Sequence, residues 1–283
     1  MCDDDIDPGF ADDAAVSRRA FSLMTVAAAG VATTAAHAAV GVVEKDVTIK
    51  TADGNADAAL FYPQGKGSWP AVIMWPDIMT LRPAFREMGK RLAGEGYVVL
   101  VPNFYYRTQK APIALNYSNP EDRAKFGPMR AALTDEAVDR DAIAFVAFLD
   151  AQPQTDKRRK IGVQGYCMGG PLSFRTAAAS ARIGAVSSFH GGGLVTTAAN
   201  SPHLLVPKTK ADYLICVAQN DDAREPAAKD ALTAAFQAAK LPHKVEVYAA
   251  DHGWMVKGSQ VYNEAEAERG WREMVAQYKR ALR

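Results

Sequence analysis

Three five-residue runs, Ala71-Val72-Ile73-Met74-Trp75, Tyr97-Val98-Val99-Leu100-Val101 and Tyr213-Leu214-Ile215-Cys216-Val217, are apolar without interruption. A strand with one wet face alternates, so a strand apolar at every position must be covered on both sides, as inside a parallel sheet. Segments of helical periodicity lie between these runs. Residues 83–93 form one, stopped by Gly94 and Gly96, and residues 134–149 form another, with Thr134 or Asp135 as cap and Ala142, Phe145, Val146 and Leu149 on one face. Further helices are expected from the end of the 161–164 strand to about Ala179, over 225–240 and over 262–282, and further strands at 185–189 and 244–248. Residues 47–50 and 58–62 flank the turn Asp53-Gly54-Asn55 and read as an antiparallel edge hairpin. Residues 108–130 carry prolines and little periodicity, a long excursion able to cap a site. The alternation predicts an α/β fold with a mainly parallel, doubly wound sheet and helices on both faces.

Composition narrows the function. With 283 residues, 48% hydrophobic, and a net charge of +1, the chain has enough apolar sequence for a sizeable core but no basic patch for nucleic acid or an anionic membrane. A small-molecule partner and a monomer are expected. The N-terminal stretch differs: Ser17-Arg18-Arg19-Ala20-Phe21-Ser22-Leu23 leads into an Ala/Val-rich run that ends at Ala36-His37-Ala38. It resembles a twin-arginine export signal with a small-residue cleavage site, which assigns residues 1–38 to targeting, 39–283 to one mature domain, and the protein to the periplasm. Only Cys167 and Cys216 then remain, too few for a disulfide framework. No His/Cys/Asp set has metal-ligand spacing, and no cofactor is implied.

Chemistry concentrates in Gly165-Tyr166-Cys167-Met168-Gly169-Gly170, which has the Gly-x-nucleophile-x-Gly spacing of a nucleophile elbow with cysteine at its centre. A strand ends, the chain turns sharply and a helix begins, so the central residue is strained and needs small neighbours. At a helix start the dipole and free N–H groups favour a thiolate. Loops at the carboxyl ends of strands line the crevice of such a sheet. Those loops hold Asp77, Cys167, Asp221 or Asp222, and His252, so cysteine, acid and histidine follow the chain order of α/β-hydrolase triads. Counting from Ala218, Asp221 fits a small-x-x-Asp pattern; counting back from Pro226 favours Asp222; Asp221 is taken as the triad acid.

From about residue 45 to 282 the chain resembles the dienelactone hydrolase family, whose members have the α/β-hydrolase fold. The likeness is carried by Trp75-Pro76-Asp77-Ile78, Val101-Pro102-Asn103-Phe104-Tyr105-Tyr106-Arg107, the elbow, Val217-Ala218-Gln219-Asn220-Asp221-Asp222, and Asp251-His252-Gly253-Trp254. The resemblance implies ester or lactone hydrolysis through a Cys167, His252 and Asp221 triad, with the backbone N–H groups of Met168 and Ile78 as oxyanion hole. It implies that Asp77, where the family usually has glutamate, modulates the thiol, and that Arg107 holds a substrate carboxylate. A second family arginine four residues after the histidine is replaced by Val256, with Lys257 adjacent. Tyr106, Trp254 and His190, which precedes Gly191-Gly192-Gly193, are candidates for the pocket wall. If the family's strand order holds, Cys216 lies two strands from the elbow, roughly 9–10 Å at ordinary sheet spacing and beyond disulfide reach. The competing expectation, motivated by Asp77 and Val256, is a binding or thiol redox-sensing protein on the same fold.

Overall fold

The computed structural model describes residues 41–283, so the segment assigned to export lies outside the described residues. Eight strands form one sheet in the order β1-β2-β4-β3-β5-β6-β7-β8. β1 (Val42–Thr51) and β2 (Gly54–Pro63) make the expected hairpin, and β2 pairs antiparallel with β4 (Val98–Pro102). All other pairings, among β4, β3 (Ala71–Trp75), β5 (Ile161–Tyr166), β6 (Ile183–Phe189), β7 (Asp212–Ala218) and β8 (His243–Tyr248), are parallel.

Two apolar layers explain the uninterrupted runs. Along β3, Ile73 and Trp75 pack into one layer and Val72 and Met74 into the other. The first layer is closed by α3 (Asp135–Ala151), α4 (Gly169–Ala179) and α6 (Ala228–Ala238), which supply Phe145, Leu149, Leu172, Phe174 and Phe236. The second is closed by α1 (Pro83–Gly94) and α7 (Glu264–Ala281) through Phe85, Leu92, Trp271, Met274 and Tyr278. With both faces covered, successive side chains are buried on alternate sides, and two-residue polar alternation is lost.

Three local features depart from the expected elements. The 108–130 excursion contains a helix, α2 (Pro120–Ala131), whose start is built from Asn119 as cap, Pro120 in the first turn, and Glu121 and Asp122 beside the positive end of the helix. The helix expected over 225–240 is α6, which begins later, at Ala228, and a separate short helix, α5 (Gln219–Arg224), precedes it and ends where Glu225, before Pro226, leaves helical geometry. The proline-containing loop before β7 winds as a 3-10 turn over Pro202–Lys208.

Candidate active site

The elbow forms between β5 and α4. Cys167 adopts φ 51°, a left-handed conformation that a non-glycine residue holds only when its surroundings demand it. The flanking glycines follow from close approach. A Cβ at Gly165 would collide with the Gly169 carbonyl, and one at Gly169 would collide with the Trp75 and Pro76 carbonyls. The first turn of α4 is thereby pressed against the loop after β3. Ile78 lies in that loop and Met168 immediately precedes α4, so the two amides proposed as oxyanion donors belong to apposed segments. Neither amide hydrogen-bonds to another described residue. Cys167 is 8% exposed.

His252 sits after β8 and is 2% exposed. Its Nδ1 lies 2.6 Å from Oδ2 of Asp221, and its backbone N–H donates to Oδ1 of Asn220 at 2.8 Å. Asp221 stands in the first turn of α5, directly after β7, so a strand end positions the acid and a loop positions the imidazole. Asp222 turns the other way and accepts from Lys229 Nζ at 2.7 Å. Nε2 of His252 is buried without a hydrogen-bond partner among the described residues. A ring whose Nδ1–H is held by a carboxylate keeps its Nε2 lone pair, the state a general base needs.

His190, at the end of β6, touches both halves of this arrangement. Its Nδ1 accepts the Cys167 backbone N–H at 3.2 Å, and its ring meets the His252 ring edge-on with centroids 5.0 Å apart. Burial first, and the neighbouring His252 second, hold its pKa well below the ordinary histidine value, so the ring is neutral. Trp254 is fully buried, stacked on Tyr248 at 4.8 Å and edge-on to His190 at 5.9 Å, and serves as the wall behind the histidines.

Two residues expected at the substrate are engaged elsewhere. The Arg107 guanidinium donates to Asp53 Oδ2 at 2.7 Å, to both carboxylate oxygens of Asp141 at 2.8 Å, and to the Ala137 carbonyl. Tyr106 donates to the buried Asp141 at 2.7 Å and lies 2.7 Å from the Thr51 hydroxyl. Together they tie α3 to the β1–β2 hairpin, so the guanidinium expected to meet a substrate carboxylate is here paired with carboxylates of the chain itself. Asp77, expected beside the thiol, is clamped by Arg82 through Nη1 at 2.6 Å and Nη2 at 2.9 Å, while its Oδ1 also accepts from the Met79 N–H at 3.0 Å. The bidentate pair fixes the shape of the loop after β3. Arg82, five residues after Asp77 and directly before Pro83, went unnoticed at the sequence level. Val256 is buried and Lys257 exposed.

Two clefts are lined by residues next to Cys167 and in the segment after β3. One of about 850 Å³ runs from Met168 along Leu172 and Gly193 beneath Arg130 and Leu133. Another of about 500 Å³ lies between Met79, Arg82, Ile113, Tyr117 and Lys257, so the 108–130 excursion contributes to both. Cys216 is fully buried and unbridged, two strands from the elbow as expected, and burial pushes its thiol pKa up. Among the described residues no cluster of three His, Cys, Asp or Glu side chains is arranged to hold a metal, and no helix is long and apolar enough to cross a membrane.

Comparison with known proteins decides the family. The model of the dienelactone hydrolase family matches residues 56–282. The chain belongs to this family. A Salmonella typhi protein provisionally named a carboxymethylenebutenolidase is 26% identical over 265 residues, covering 89% of this chain and 94% of that one. The carboxymethylenebutenolidase of Pseudomonas putida is 29% identical over 132 residues, 47% of this chain and 55% of its own. A crystal structure from Klebsiella pneumoniae, provisionally described as a dienelactone hydrolase, superposes with a TM-score of 0.75 at 23% identity, over 85% of this chain and 99% of that one. Family membership makes the protein a hydrolase of esters or lactones with an α/β-hydrolase fold.

Proposed function

We propose that the protein cleaves a carboxylic ester or lactone through a thioester on Cys167, with His252 as the proton carrier and Asp221 as its orienting acid. The observation that supports this most is the 2.6 Å contact of Asp221 with His252 in a ring that also packs on His190, the acceptor of the Cys167 amide.

The Cys167 sulfur attacks the carbonyl carbon, and the carbonyl oxygen takes up the electron pair as an oxyanion facing the Met168 and Ile78 amides. Two fixed donors in a dry site stabilise that charge by several kcal/mol. His252, protonated at Nε2 by the thiol proton, hands that proton to the leaving alkoxide as the carbon–oxygen bond breaks, leaving the thioester. Water then loses a proton to Nε2 and attacks the thioester carbonyl, and the acid departs as sulfur regains its electron pair and takes the proton back from Nε2. The 2.6 Å Asp221 contact fixes the tautomer and offsets the imidazolium charge in both halves.

With Arg107 engaged by two carboxylates, recognition rests on the clefts, and esters without a carboxylate are accepted as substrates. The twin-arginine-like segment directs the mature enzyme to the periplasm, which fractionation of the full-length protein tests. Turnover of a panel of p-nitrophenyl esters and lactones, compared between wild type and Cys167→Ala, tests the chemistry: hydrolysis by the alanine variant at the wild-type rate rejects it.

A further inference from the structure

We infer that His190 is a positioning residue for the nucleophile, its Nδ1 holding the backbone N–H of Cys167 and with it the conformation that presents the thiol. The kinetic readout of this role rests on the hydrolase reading above; its chemical readout does not.

Cys167 at φ 51° and His190 at φ 42° stand at the ends of the neighbouring strands β5 and β6. Left-handed non-glycine residues are each unfavourable by about 1 kcal/mol or more and persist where surrounding contacts over-determine them. Here two strained residues brace each other. The Cys167 amide is shared between the Phe189 carbonyl at 3.1 Å and His190 Nδ1 at 3.2 Å. The His190 amide in turn donates to the Cys216 carbonyl at 2.8 Å, which anchors the brace on β7. Beyond it, Gly191 lies so close to Gly170 that a Cβ there would stand 2.7 Å from the Gly191 Cα, so the chain after His190 also packs against the start of α4.

An acceptor role requires the lone pair on Nδ1, hence the neutral tautomer with hydrogen on Nε2. The ring's 1% exposure and the adjacent His252 enforce neutrality. Nε2 is buried and has no hydrogen-bond partner among the described residues, so no competing bond turns the ring away from the elbow.

The test separates acceptor, ring and backbone conformation. Asparagine at 190 places Oδ1 where Nδ1 stands and tolerates positive φ. Glutamine carries its amide one carbon too far to accept there, and glycine relaxes the backbone without offering any acceptor. Iodoacetamide alkylation of the Cys167 peptide, read by mass spectrometry, needs no turnover; kcat for p-nitrophenyl acetate is measured beside it, with melting curves as fold control. His190→Asn is expected to stay within ~3-fold of wild type in both readouts, and His190→Gln and His190→Gly to lose ~10-fold in both with KM little changed, the scale of one hydrogen bond. Glutamine or glycine variants that match wild type, or an asparagine variant that falls with them, overturn the role. If glycine does not fold, the asparagine and glutamine variants decide. If wild type shows no turnover, the hydrolase reading fails while the alkylation series still judges His190.

Discussion

Oδ2 of Asp221 lies 2.6 Å from Nδ1 of His252, while Asp222, the next residue, is 2.7 Å from Lys229. The two carboxylates differ by one position in chain and by everything in role. Asp221→Asn is expected to lower kcat by on the order of 10²–10⁴-fold, because the amide holds the wrong tautomer. Asp222→Asn removes a partly exposed ion pair and is expected to leave kcat within about twofold and stability within ~1 kcal/mol. Steady-state kinetics of the two variants check this, and equal effects refute the assignment.

Asp77 and Arg82 form a bidentate pair in which the carboxylate side chain is 2% exposed and the guanidinium 13%. Removing one partner of such a pair leaves a buried charge and costs about 3–5 kcal/mol. Arg82→Met is therefore expected to lower the melting temperature and, through the loosened Ile78 amide, to reduce kcat more than it raises KM. Asp77→Asn is expected to leave the pH profile of Cys167 alkylation unchanged, since Arg82 and the Met79 amide hold the carboxylate.

Arg107 neutralises Asp141, whose pKa burial raises and the guanidinium partly restores. Arg107→Ala is expected to destabilise the protein by about 3 kcal/mol, by stranding a carboxylate with 1% exposure. Its losses across esters with and without a carboxylate should be equal. A loss confined to carboxylate-bearing substrates returns Arg107 to recognition.

His190 also sets a pH dependence of stability. The unfolded chain takes a proton on this histidine near pH ~6.5 while the folded ring resists it, so the unfolded state binds more protons in acid. The stability is present above that value and is lost as pH falls through the window below it. Melting temperatures from pH 7 to 5 should decline, and His190→Asn should flatten the slope.

The strands and their loops were legible because a sheet covered on both faces leaves a one-dimensional trace: Ala71–Trp75 and Asp212–Ala218 are apolar or buried at nearly every position. The elbow was legible because its glycines answer to local collisions. The partners of Arg107 were not, since Asp53 and Asp141 stand 54 and 34 residues away and nothing local marks which charges a fold will bring together. Helix α2 was missed although Asn119, Pro120, Glu121 and Asp122 spell a helix start, because a proline at position 128 inside it obscured the periodicity. His190 stood out only as a histidine at a strand end; its bond to the elbow depends on the register Tyr166 and Phe189 share across β5 and β6.

The most direct test of the chemistry is rapid mixing with p-nitrophenyl acetate, followed by acid quench and mass analysis of the Cys167 peptide. A burst of nitrophenolate near one equivalent, with an acetyl group on Cys167 that is absent in Cys167→Ala, is the expected result. Linear release with no burst and an unmodified Cys167 peptide, at a rate the alanine variant reproduces, contradicts a thioester on this residue.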